Sequence, residues 1–121
     1  MIETTVLNYL KSNIDVPVLM ELPEVPSEDF PEWPEQFVVI EKIAGIRRNY
    51  VDNVSLAFQS YSTESLYDAA VLDEEVRAAM DNIIELDAIG GIRLASNYNF
   101  TDTRTKRYRY QCVYEIYFVN N

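Results

Sequence analysis

Histidine is absent from this 121-residue chain, and cysteine occurs once. These absences remove the commonest general base and the commonest zinc ligand, so Ser-His-Asp, Cys-His and zinc Cys/His sites cannot be assembled within the chain. Only three glycines are present, and Gly90-Gly91 lacks the spacing of a phosphate-cradling or dinucleotide-binding loop. No apolar run approaches the roughly 18 residues of a membrane span. The start, MIETTVLNYLK, has no basic region ahead of an apolar stretch, so neither a membrane protein nor a secretory leader is expected. A lone Cys112 excludes a disulfide within the monomer and favours an intracellular life; its place on an apolar parity suits a small core hydrophobe. An enzyme built from this chain would have to use carboxylates, lysine, tyrosine or a borrowed cofactor. Neither catalysis nor a cofactor is expected.

Positive charge is also scarce. Ten lysines and arginines face twenty acids, a net of −10. Residues 1–41 hold nine acids and only Lys11, giving −8, while residues 42–121 hold eleven acids and nine bases, giving −2. Tight nucleic-acid binding draws its affinity from neutralised phosphates, so the overall sign argues against it. Two local exceptions stand out. Arg104, Lys106, Arg107 and Arg109 fall within six residues, and Arg47-Arg48 form a smaller cluster. Three readings apply to the larger cluster: a solvated strand end, a contact with an acidic surface on another subunit, or nucleic acid.

The most informative segment is the end of the chain. Tyr108, Tyr110, Cys112, Tyr114, Ile116 and Phe118 share one parity, which places them on one face of a strand. Counted from Lys106, thirteen residues at about 3.3 Å reach roughly 43 Å, against a radius of gyration near 14 Å for a globule of this size. Such a strand crosses the whole domain or projects from it, with its far half buried on both faces.

Elsewhere, residues 3–14 read as a short helix capped by Thr4 or Thr5 and stopped by Pro17, followed by a strand over Val16–Leu22. All five prolines lie between Pro17 and Pro34, and PEVPSEDFPEWPE reads as an extended loop without bases. Its Phe30 and Trp33 must pack on something, either their own domain or a neighbouring subunit. Phe37–Ile43 is a β-branched strand with a bulge or turn at Ala44-Gly45, RRNYVDN a turn, and Val54–Tyr61 its hairpin partner. Residues 63–86 form an amphipathic helix, capped by Ser62 or Thr63, with Asp73 and Arg77 paired on its exposed side. Gly90-Gly91 turns the chain into strand Ile92–Phe100, TDTRT is a turn, and the long strand closes the sequence. The order α-β-β-β-α-β-β predicts one α+β domain over 1–121: a mostly antiparallel sheet of about five strands, two helices on one face, and a long C-terminal hairpin.

Two constellations invite a chemical reading. Asp81 and Glu85 share a helix face beside Asp73, Glu74 and Glu75, but nothing completes a metal site, and an acid-rich helix face is usually just solvated. The tyrosines of the last strand, interleaved with bases, resemble a base-stacking surface. Their parity runs on into Cys112, Ile116 and Phe118, which marks a core stripe or a subunit interface instead.

Several strings taken together resemble the tail terminator, or tail-completion, proteins of long-tailed bacteriophages and prophages. They are VPVLMELPEVP, PEQFVVIEKIAG, VSLAFQSYS, SLYDAAVLDEEVRAAM and SNYNFTDTRTKRYRYQCVYEI. The resemblance covers the chain and implies a structural protein of the virion, assembled in the host cytoplasm. It implies a homo-oligomeric, hexameric ring at the head-proximal end of the tail tube, which ends tail polymerisation and joins tail to head. The implied partners are further copies of itself, the tail-tube protein and the head-neck connectors, with DNA passing through the lumen without specific binding. It brings no catalytic, cofactor or metal residues. On this reading Phe30, Trp33, Arg47, Arg48, Arg104, Lys106, Arg107 and Arg109 are the candidate interface residues. Other neck or head-completion proteins and an acidic DNA-mimic inhibitor are the alternatives.

Overall fold

In the computed structural model, helix α1 (Ile2–Asn13) is followed by strands β1 (Val18–Leu19), β2 (Gln36–Arg48) and β3 (Val51–Ser62). Helix α2 (Leu66–Asp81), a 3-10 turn at Ile83–Glu85, and strands β4 (Ile89–Asn99) and β5 (Tyr108–Val119) complete the chain. Residues 2–28, 30–48, 51–102 and 107–119 are described, with the backbone alone for 46–48, 51 and 119. The strands form a single sheet in the order β1-β2-β3-β5-β4, an α+β fold with the expected element order. The hairpin partners β2–β3 and β4–β5, and the central pair β3–β5, are antiparallel.

β1 differs from expectation. It is two residues long and lies parallel to β2, through Val18↔Val38 and Leu19↔Val39, so the sheet is mixed. The proline-rich segment returns the chain to the same end of the sheet before β2 begins, which makes the pairing parallel. Pro17 and Pro23 cannot donate to a ladder, and this keeps the edge strand short.

The sequence-predicted long strand is real, but it does not stand alone. β5 pairs with β3 from Ser62↔Tyr108 to Val51↔Val119 and with β4 on its other side. β2 and β3 have 13 and 12 residues, so the length belongs to the sheet. Burial on both faces covers its centre, Gln111 to Tyr114, while Glu115, Tyr117 and Phe118 are half-buried.

One face of the sheet carries both helices. Ala69, Leu72, Val76 and Met80 are the buried stripe of α2, with Asp73 among them. That stripe shares one core with Val6 and Leu10 of α1, Val38 and Ile40 of β2, Leu56 and Phe58 of β3, and Cys112, Tyr114 and Ile116 of β5. Each such fully buried aliphatic or aromatic side chain contributes about 1.5–3 kcal/mol. Tyr9 donates its hydroxyl to the Ala79 carbonyl (2.7 Å), and Lys42 lies 3.4 Å from Glu3, fixing α1 to α2 and to β2.

Several local expectations are corrected. α2 begins three residues late: Ser65 is the cap, its hydroxyl accepting the Asp68 amide (3.0 Å), while the buried Ser62 hydroxyl accepts from the Glu64 and Ser65 amides. It ends at Asp81 because Ile83 must enter the core, which the tighter 3-10 turn allows. Gly90-Gly91 lies inside β4 with no positive φ, at a register shift between Ile89 and Gly91, so the pair marks a bulge and not a turn. β2 and β3 run to Arg48 and from Val51, so RRNYVDN is mostly strand.

The Asp73–Arg77 pair is not exposed. Asp73 is 0% accessible; one carboxylate oxygen accepts from Arg77 Nε (3.0 Å) and from Asn97 Nδ2 (2.8 Å). Its helical position faces β4 and β5, where Asn97 of β4 waits as a donor, and a periodicity argument blind to that partner puts the acid outside.

Candidate subunit interface

Among the described residues, the second face of the sheet carries no helix. Odd-numbered residues of β3, β5 and the first half of β2, up to Glu41, point there, and at one end they form a small aromatic cluster. Phe37 and Tyr61, neighbours in register, stack at 4.7 Å, and Trp33 from the proline-rich loop meets both edge-on at 5.3 and 6.0 Å. Leu19 and Val39 complete it. Trp33 is thus an anchor of its own domain. The Arg107 guanidinium lies over the Trp33 ring at 3.9 Å and is otherwise exposed.

Arg109 is held next to it. Its Nε donates to the Phe100 carbonyl (2.9 Å), Nη1 donates to the Tyr61 hydroxyl (3.0 Å), and the guanidinium stacks on Phe100 at 4.1 Å. Phe100 and Tyr98 meet edge-on at 5.6 Å and are 42% and 40% exposed. Two arginines on aromatic platforms therefore form one corner of the open face. Arginine suits such a platform because its planar cation stacks and keeps donors free at the rim.

From this corner a polar row crosses the sheet. Gln59 Nε2 donates to Glu41 (3.1 Å) and to Gln111 (3.0 Å), and Gln111 Nε2 in turn donates to the Tyr98 hydroxyl. Gln59 and Gln111 are buried by their neighbours, so the row is fixed and not merely wetted. At the far end, Arg93 of β4 and Glu115 of β5 pair at 2.8 Å; the Glu115 carboxyl, accepting also from Tyr117, is held below the usual carboxylate range.

Both long edges are open. β1 covers β2 only at Val38 and Val39; from Ile40 to Arg48, and along the outer side of β4, no strand is present among the described residues. Ile43, at the bulge between Lys42 and Ala44, is 55% exposed, and Leu94 on β4 is 43% exposed. Long uncapped edges are ready templates for another chain.

The candidate residues are therefore scattered in role. Arg107, Arg109 and Trp33 are brought together. Phe30 is half-buried, closing a turn with Ser27 (3.0 Å to its hydroxyl) away from the cluster. The backbones of Arg47 and Arg48 pair with Asp52 and Val51 at the opposite end of β2, and their side chains, like Arg104 and Lys106, lie outside the described residues. Tyr61, Phe37, Tyr98 and Phe100 were not singled out as candidates. The first two were legible: Tyr61 is on the opposite parity from Leu56 and Phe58, and FVVI is apolar on both parities, which requires a second covered face. Asp81 accepts weakly from Tyr114 (3.4 Å), and no group of three or more metal-ligating side chains occurs among the described residues. No helix is long and apolar enough to cross a membrane. No model of a known protein family matches the chain, and no curated protein does.

Proposed function

We propose that this chain is a structural ring-forming protein that closes the head-proximal end of a phage tail tube, ending its polymerisation and joining tail to head. The observation that carries this reading is the pair of open sheet edges. Within the sheet, β2 and β4 run in opposite directions. A second copy set beside the first in the same orientation continues the sheet antiparallel, β4 against β2, with every helix on one side and every polar row on the other. Such a head-to-tail contact is heterologous, and heterologous contacts close into rings when the rotation allows. The resemblance of the strings VPVLMELPEVP, VSLAFQSYS and SNYNFTDTRTKRYRYQCVYEI to tail terminators supplies the hexameric count and the location. A net charge of −10 suits a conduit through which DNA slides without adhering.

Native mass spectrometry with negative-stain imaging, alone and with polymerising tail tubes, tests it. A closed ring that halts tube growth and sits at the tube end is the expected result. A ring found on the head portal instead would move the protein to the head-completion class. A protein that stays monomeric alone and on tubes would overturn the reading.

A further inference from the structure

The proline-rich segment is an arm. Leu19 and Trp33 pin its two ends to the Phe37–Tyr61 cluster, and between them, among the described residues of 20–32, only Pro23 and Phe30 are even half-buried. A loop of this length without secondary structure is uncommon in a compact domain unless it has a task. Its prolines limit the freedom that would be lost on docking. The arm exposes apolar side chains, Met20, Leu22 and Val25 at 43, 45 and 40%, among acids. Glu21, Glu24, Glu28, Glu32 and Glu35 make no ion pair among the described residues, and neither does Arg107.

The chain thus displays two surfaces of opposite sign whose charges form no ion pair among the described residues. One is acidic and aliphatic, and the other is the Arg107–Arg109 corner, cationic and aromatic through Tyr98 and Phe100. We infer that the arm of one copy docks on the arginine corner of a second copy, Glu21 and Glu24 meeting the two guanidinium groups while Leu22 and Val25 cover the exposed rings. Guanidinium–carboxylate pairing fixes the register, and the aliphatic–aromatic contact excludes water around it. The contact is heterologous, arm to corner. It adds the partner surface to the ring reading but does not need the ring to close.

The test is a charge exchange in the full-length protein. Arg107→Glu and the double variant Glu21→Lys/Glu24→Lys all change exposed side chains, so the far-UV circular dichroism should match the parent. In sedimentation velocity each variant alone should associate about tenfold more weakly or worse, since rim charges of the wrong sign repel. Mixed one to one, they should recover association as dimers, because the acidic arm of the Arg107→Glu chain then finds the intact arginine corner of the other variant. Parent association should also weaken between 0.1 M and 1 M salt, as the screening length falls from about 10 Å to about 3 Å. Variants that assemble like the parent, or a mixture that fails to recover, would overturn the arm contact while leaving a ring held by sheet edges intact. A parent that associates through the arm but forms only open dimers or chains would support the arm contact and sink the ring. A parent that never self-associates overturns both.

Discussion

Cys112 of β5 lies against Asp73 on the buried side of α2, and each imposes a measurable penalty on the molecule. Burial and the neighbouring Asp73 carboxylate push the Cys112 thiol far above its ordinary range. In the unfolded chain the thiol ionises from about pH 8.5, so between that value and the raised folded one the unfolded state holds fewer protons. Stability is therefore complete below about pH 8.5 and falls as pH rises, by up to about 1.4 kcal/mol per pH unit from this group. Urea titrations between pH 7 and 10 should show that loss, and Cys112→Ala should lose this component of the slope. Asp73 and Arg77 should behave unequally. Asp73→Ala leaves Arg77, whose side chain is 32% exposed, free to turn to water, at a cost of about 1–2 kcal/mol. Arg77→Ala leaves a buried carboxylate with only Asn97 to answer it, at about 3 kcal/mol. Equal costs in urea unfolding would mean that Arg77 does not neutralise that carboxylate.

At the scale of elements, α2 depends on Ser65. Replacing it with alanine removes the acceptor for the Asp68 amide and should lower stability by about 1 kcal/mol in denaturant unfolding, whereas Thr63→Ala should cost less because Thr63 caps nothing. That contrast also shows where sequence reading stops. Three serine or threonine residues precede Leu66, and each is a competent cap; the choice falls on Ser65 because Ser62 is still paired with Tyr108 in the sheet. The order of elements, the single helical face and the hairpin of β4 and β5 were all legible, since period-two and period-3.6 patterns survive any tertiary context. The parallel β1, the bulge at Gly90-Gly91 and the buried Asp73 were not, because each is decided by a partner distant in sequence. The same holds for the arginine corner: Arg107 and Arg109 were visible as charge, but the rings that hold them belong to three other segments.

On the scale of the whole molecule, the sheet has more hydrogen-bonding capacity than one copy uses. Ile43→Lys places a charge at the exposed bulge of the β2 edge, a substitution that should leave monomer stability within about 0.5 kcal/mol. If sheet edges join copies, the same variant should dissociate the assembly in native mass spectrometry, since inward charges on an edge are how proteins refuse strand addition. An assembly unaffected by Ile43→Lys yet disrupted at Arg107 would assign cohesion to the arms and leave the edges idle.

Trp33, the only tryptophan of the chain, stands outside the main core, in the satellite cluster with Phe37 and Tyr61. Its emission therefore watches the joint between arm and sheet, and little else. Heating or denaturant that frees the joint first will redden the fluorescence while the circular dichroism of helices and strands stays put. Two melting curves that fail to coincide would then report a detached strap on an intact domain, and a folding free energy taken from tryptophan alone would understate the molecule.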